Sequence, residues 1–256
     1  MDSKLTLLKE FYSGLPKDRA KVETARLGFE FLESLLTDGT TFEYGEMHRS
    51  TQLNKYKLAN LSDQKMDKLL RAHLAKENNV CLYFDDVASS IFCINLDNNR
   101  KSNNTELIPE IKLALSLLRE HLTLLGCEPL IIASGRGYHL WCRLAVCIEN
   151  NRLHQFMLRL AAMTLAGLHN KGLDYNQIKT NFYPDPRIRS RVSLRLFGSD
   201  HSRNKTFSRV VLNDELLDEE ASWMAFENHL RSKTITEAQF NEAVNVIAAV
   251  FNPTPS

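Results

Sequence analysis

The chain has 256 residues, 43% of them hydrophobic and 25% charged, with a formal net charge of +1. It can therefore bury a real core, as one large globular domain or as one domain with an appendage. No apolar run approaches the roughly 18 residues needed to cross a bilayer, and Met1-Asp2-Ser3-Lys4-Leu5 lacks the basic-then-apolar order of a secretory leader, so no membrane span is expected and the location is read as cytoplasmic or nucleoid-associated. The five cysteines, Cys81, Cys93, Cys127, Cys142 and Cys147, form no Cys-x-x-Cys pair and lie mostly in apolar, strand-like contexts; this argues against a zinc knuckle or disulfide framework and predicts buried thiols.

In chain order, apolar spacing predicts helices over 5–12 and 19–36, the second closed by Asp38-Gly39. The stretch 40–60 is polar and irregular. Its Tyr44, His48, Arg49, Lys55, Tyr56 and Lys57 interleave aromatics with bases, a pattern that suits a nucleic-acid strand and equally a plain surface loop or a small β excursion. Ser62 is placed to cap a third helix running to about residue 76. After Asn78-Asn79 the pattern turns to strands. Segments 80–84 and 90–97 read as a hairpin joined through Asp85-Asp86, followed by a long amphipathic helix over 105–126, a strand over 129–133, a glycine turn and a strand over 138–146. Asn150 is placed to cap a helix ending near Lys171-Gly172; an arginine-rich strand with a follower over 207–212 comes next, and the tail from about 214 to 251 is helical. The chain is thus read as α+β and as a single unit: an N-terminal part over 1–78, a core over 79–212 and a C-terminal helical part over 213–256.

Three segments carry chemistry. Residues two apart on a strand face the same way, so Asn95 and Asp97 project together from the end of an apolar strand. Adjacent oxygen-bearing side chains of this kind hold Mg²⁺ or Mn²⁺ in phosphoryl transfer, and the same Asn-Leu-Asp-Asn-Asn run also makes a good turn. In Ser134-Gly135-Arg136-Gly137-Tyr138-His139, glycines on both sides of Arg136 permit a tight reversal with exposed N–H groups, and Ser134 and His139 lie where both can reach one anion. A plain glycine hairpin and a Ser-His hydrolase pair are the other readings of this turn; no nucleophile-elbow sequence supports the hydrolase. Asp174 follows Gly172 and precedes the arginine strand, as a surface acid or a further metal ligand. From 187 to 209, Arg187, Arg189, Arg191, Arg195, Arg203, Lys205 and Arg209 face a single acid, Asp200. Positive charge is concentrated there, either to hold phosphate or as a solvated basic face. Arg189, Arg191, Ser193 and Arg195 share one side of the predicted strand.

Taken in order, Asn95-Leu96-Asp97, Ser134 to His139, Leu173-Asp174, and Arg195-Leu196-Phe197-Gly198-Ser199 through Lys205-Thr206 resemble the motifs of the archaeo-eukaryotic primase superfamily, over about residues 80–212. The resemblance implies an archaeo-eukaryotic primase-like fold, with an RRM-like β-sheet catalytic half, an N-terminal α/β half, helical flanks and an active site in the cleft between the halves. It implies a template-dependent nucleotidyltransferase, a DNA primase or primase-polymerase that synthesises or extends primers from dNTP or NTP on single-stranded or primed DNA. It further implies Asn95, Asp97 and Asp174 as catalytic ligands of Mg²⁺ or Mn²⁺, and Ser134, Arg136, Gly137, His139, Arg195 and Lys205 at the nucleotide. Arg187, Arg189, Arg191 and Arg203 fall to the nucleic-acid strand. No Gly-x-x-x-x-Gly-Lys-Ser/Thr segment is present, so a helicase partner is expected on another chain or a fused region.

Asn95 stands where that superfamily carries Asp. A neutral amide coordinates through one oxygen and removes a full negative charge, which lowers divalent-metal affinity and turnover. Two classes of function follow: an enzyme, or a nucleotide- and nucleic-acid-binding module of the same fold without the chemistry. A strand-joining repair polymerase shares the enzyme's chemistry.

Overall fold

Two sheets organise the chain, and alternate residues of the larger one feed two separate cores. The computed structural model describes residues 2–12, 21–26, 53–57, 60–84, 87–98, 108–135, 137–186, 194–201 and 206–251. The chain begins with helix α1 (Asp2–Tyr12), strands β1 (Lys21–Arg26) and β2 (Leu53–Lys57), helix α2 (Asp63–Leu74), and strands β3 (Asn78–Tyr83) and β4 (Ala88–Asn98). Next come α3 (Pro109–Leu124), β5 (Leu130–Ala133), β6 (Gly137–Glu149), α4 (Asn150–Asn170), β7 (Ile178–Tyr183) and β8 (Leu194–Arg195). The chain continues through β9 (Arg209–Leu212), β10 (Glu215–Leu216), α5 (Glu219–Ser232), β11 (Thr234–Ile235) and α6 (Glu237–Phe251). The smaller sheet has the order β2-β1-β3-β8; the larger runs β10-β9-β5-β6-β4-β7, with β11 parallel beside β6 and its other pairings antiparallel.

The period of two in a strand explains the double core. On one face of the larger sheet, Phe92, Ile94, Leu96, Leu140 and Phe182 pack against helices α3, α4 and α6 through Ile111, Leu118, Phe156 and Phe240. On the other face, Ile91, Cys93, Trp141 and Tyr183 pack with Leu8 and Phe11 of α1, Leu70 of α2, Val80 and Leu82 of β3, and Trp223 and Phe226 of α5. Every residue from Ile91 to Asn95 is therefore buried. This is why the strand reads as a continuous apolar run rather than an alternating one; each fully buried large side chain contributes about 1.5–3 kcal/mol.

The smaller sheet is tied to the loop after β8 by His73. Its Nδ1 accepts the Val80 N–H at 3.0 Å and its Nε2 donates to the Phe197 carbonyl at 2.9 Å, a pattern that only the neutral ring satisfies. Gly198, one residue on, has φ +99, and a Cβ there would lie 2.6 Å from the Trp223 ring. The loop is thus fixed by a histidine on one side and by close packing on the other.

Several expectations hold. Helix α1 forms, Ser62 caps α2 by accepting from the Lys65 N–H at 3.3 Å, and the β-β-α-β-β order is found in β3, β4, α3, β5 and β6. Others are corrected. The start of the helix expected over 19–36 is strand β1, whose backbone pairs with β2 on one side and β3 on the other; tertiary pairing outweighs a weak helical spacing. The remainder of that span, with Asp38-Gly39, Tyr44, His48 and Arg49, lies outside the described residues. Strands β3 and β4 are not a hairpin, because β3 pairs with β1 and β8 while β4 pairs with β6 and β7. Strand β7 was not foreseen. The helical tail also contains the short strands β10 and β11. Asn150 is the first residue of α4, and Glu149 occupies the cap position without a side-chain cap bond. Cys93, Cys127 and Cys142 are buried, whereas Cys81 is partly exposed and Cys147 is exposed on the solvent side of β6. Among the described residues, no helix is long and apolar enough to cross a membrane.

Burial holds His73 and His229 neutral, pushing both down to about 4 from an ordinary value of 6.5. The unfolded chain then takes up protons below pH 6.5 that the folded chain refuses, so this contribution is fully present above that pH and is lost as pH falls towards 4. Unfolding free energies from urea denaturation are expected to decrease from about pH 7 to pH 5, by up to about 1.4 kcal/mol per pH unit for each histidine. A flat profile over that window contradicts the neutral buried rings.

Candidate functional site

The far end of β4 brings polar groups onto the face that also holds Cys93 and Trp141. Asn95 lies opposite His139 of β6 and Asn181 of β7, and Asp97 lies opposite Gly137 and Lys179. Directly opposed residues share a face with Cβ atoms about 4.5–5.5 Å apart, so His139, Asn95 and Asn181 form one row and Asp97 with Lys179 the next. The Asn95 Nδ2 donates to Asp97 Oδ2 at 3.1 Å, as two same-face residues on one strand can. Asn95 Oδ1 is buried and has no hydrogen-bond partner among the described residues.

The turn between β5 and β6 uses its two glycines differently. Ser134 N–H donates to the Gly137 carbonyl at 2.9 Å, closing a reversal in which Gly135 adopts φ +101. That backbone region suits glycine. Gly137 is required for space: a Cβ there would lie 1.8 Å from the Leu96 carbonyl oxygen of β4. The strand bearing Asp97 can approach the turn this closely because the side chain is missing.

Arg195 enters from the smaller sheet, where it pairs with Cys81 of β3. Its guanidinium donates to the Ser134 carbonyl at 2.8 Å and the Ser199 carbonyl at 3.0 Å, so it spans from β8 to the turn of the larger sheet. Burial pushes its pKa down to about 10, partly offset by Cys81 and Asp200, and the group stays cationic at neutral pH. No carboxylate among the described residues lies within ion-pair distance of it. Its charge acts on the neighbouring imidazole: burial first, then Arg195 and His201, push His139 down to about 3. His139 is therefore neutral at pH 7, able to donate from one ring nitrogen and accept at the other.

Asp174 is exposed and caps a short 3₁₀ turn, Tyr175–Gln177. Its Oδ1 accepts the Asn176 N–H and Nδ2, both at 3.0 Å, and its Oδ2 accepts Gln177 Nε2 at 2.8 Å. It precedes β7 at the sheet end where Asn98 meets Ile178. The structure thus gathers Asn95, Asp97, Ser134, Gly137, His139 and Arg195 around one face and gives Asp174 a local capping role. Arg136, Arg187, Arg189, Arg191, Arg203 and Lys205 lie outside the described residues. Lys179, Asn181 and His201 were not anticipated. Ile178-Lys179-Thr180-Asn181-Phe182 alternates apolar or β-branched with polar residues, the signal that reveals β7 and its two polar positions.

These residues do not fit Mg²⁺ or Mn²⁺. The rows carry one carboxylate, Asp97, which faces Lys179 and accepts the Asn95 amide; the Asp174 carboxylate is engaged by three local donors. Among the described residues, no group of three or more His, Cys, Asp and Glu is arranged to hold a metal.

No family profile and no curated protein matches the chain. Solved structures do. Primase RepB' is similar at 14% identity and a TM-score of 0.42, over 97% of this chain and 65% of that one. The polymerase domain of Mycobacterium tuberculosis ligase D, in complex with DNA, is similar at 12% and 0.47, over 96% and 86% of the two chains. The AEP domain of the cyanophage S-2L primase-polymerase is similar at 12% and 0.42, over 88% and 98%. The chain therefore spans less than two thirds of the RepB' structure.

The two kinds of glycine separate in a stability measurement. Gly137→Ala is expected to cost about 3 kcal/mol in chemical denaturation, through its collision with Leu96. Gly172→Ala, with φ +69 and open space around it, costs about 1 kcal/mol. Equal costs would contradict the close approach of β4 to the turn.

Proposed function

We propose that this protein holds a nucleoside triphosphate beside a nucleic-acid strand on a primase-polymerase-type scaffold, and that its nucleotidyl transfer is weak or absent with Asn95 in place. The observation that carries this reading is the Arg195 guanidinium, held between two carbonyls, with no carboxylate within ion-pair distance among the described residues, next to His139 and the Ser134 turn. A cation in such surroundings favours an anionic ligand, since a charge-assisted bond is worth about 1.5–3 kcal/mol. Arg195 binds a phosphate oxygen, neutral His139 donates one N–H to another, and Ser134 adds a hydroxyl at the same turn. The basic segment over 187–205 supplies Arg187, Arg189, Arg191, Arg203 and Lys205 for the backbone of a single-stranded or primed DNA. The motif order supports the same assignment of parts.

A second reading, active primer synthesis or extension from dNTP or NTP, is favoured by Asp97, which keeps the carboxylate of the first motif. Template-dependent incorporation of labelled dNTP and NTP, with and without a primer and with Mg²⁺ or Mn²⁺, separates the two. The expected result is negligible incorporation by the unsubstituted chain and a gain of about tenfold or more in Asn95→Asp, which adds a second charge beside Asp97. Substantial and equal incorporation by both forms contradicts the proposal and favours the second reading.

A further inference from the structure

Strand β7 alters the electrostatics of the site in a way that the motifs do not contain. Lys179 lies directly across from Asp97, and Asn181 directly across from Asn95, on the face shared with His139. A divalent cation entering this face meets one carboxylate, two neutral amides and an opposing ammonium. A polyphosphate entering it meets Lys179 and the Arg195 guanidinium, with neutral His139 between the strands. We infer that the site binds the polyphosphate of its nucleotide directly, on Lys179, Arg195 and His139, with no divalent cation between ligand and protein. This rests on the reading of this face as a nucleoside triphosphate site.

Two further observations agree. The Asn95 amide nitrogen is turned onto Asp97 Oδ2, so the carboxylate is already supplied with a donor and does not depend on a metal to neutralise it. The opposite end of the same amide, Oδ1, is buried without a partner among the described residues. A buried acceptor without a donor costs about 1–3 kcal/mol; the oxygen is closed to solvent here, so a sugar hydroxyl or base amine of a bound nucleotide supplies that donor once the amide turns outward. Inorganic tripolyphosphate, which has neither, is therefore the weaker ligand.

Isothermal titration of the whole chain with a non-hydrolysable dATP analogue, in excess EDTA and in excess MgCl₂, tests the inference, with tripolyphosphate as a second probe. Binding is expected to be at least as tight in EDTA as in MgCl₂ and stronger for the nucleotide than for tripolyphosphate. Lys179→Ala is expected to weaken it about tenfold in both buffers, while Lys179→Arg retains it. Lys179 is exposed, and circular dichroism verifies that both variants fold. Binding seen only with MgCl₂, or unchanged in Lys179→Ala, overturns the inference and leaves the triphosphate site standing. Binding in neither buffer overturns the triphosphate site itself.

Discussion

The Arg195 guanidinium is the contact on which the rest of the site depends. It belongs to a two-residue strand of the smaller sheet and reaches the Ser134 carbonyl in the turn of the larger sheet, so both sheets must be in place before its donors are satisfied. Burying a cation is expensive, and the hydrogen bonds it donates to two neutral carbonyls recover only part of that cost. The loop that follows Arg195 is held by His73 at the Phe197 carbonyl and by the close packing of Gly198 on Trp223. A rigid, partly compensated positive charge beside the polar rows of β4 and β6 suits the anionic ligand proposed for it.

The larger sheet positions the polar rows beside that charge. Because β4 is covered on both faces, its backbone is fixed by packing along Ile91 to Leu96 and its polar end emerges at a set register beside β6 and β7. The Leu96 carbonyl, filling the space that a side chain on Gly137 would need, brings Asp97 up against the turn. Neutral His139, protonated Arg195 and exposed Lys179 then differ in what they offer: a directed N–H, a buried fork of donors and a flexible point charge.

What was legible in the sequence was local. The cap at Ser62, the amphipathic spacing of α3 and the Ser-Gly-Arg-Gly turn each reside within a few residues, and each appears where the pattern puts it. What was not legible depends on partners far along the chain. Lys21–Arg26 has no strong strand pattern by itself and becomes β1 through β2 and β3. The short spacing of β3 and β4 suggests a hairpin, yet each finds its partners elsewhere. Lys179 and Asn181 acquire meaning only from the register of β7 on β4, which links residues more than eighty positions apart. Asp174, conspicuous next to Leu173, satisfies the donors of its own turn, an arrangement that an Asp-x-Asn-Gln sequence also favours.

The most direct measurement of the central claim is a crystal structure of the chain with a bound non-hydrolysable nucleoside triphosphate. The account predicts polyphosphate oxygens within about 3 Å of the Arg195 guanidinium and a His139 ring nitrogen, on the face that carries Asn95 and Asp97. A nucleotide seated elsewhere, with Arg195 still bonded to its two carbonyls and out of reach of phosphate, would contradict it.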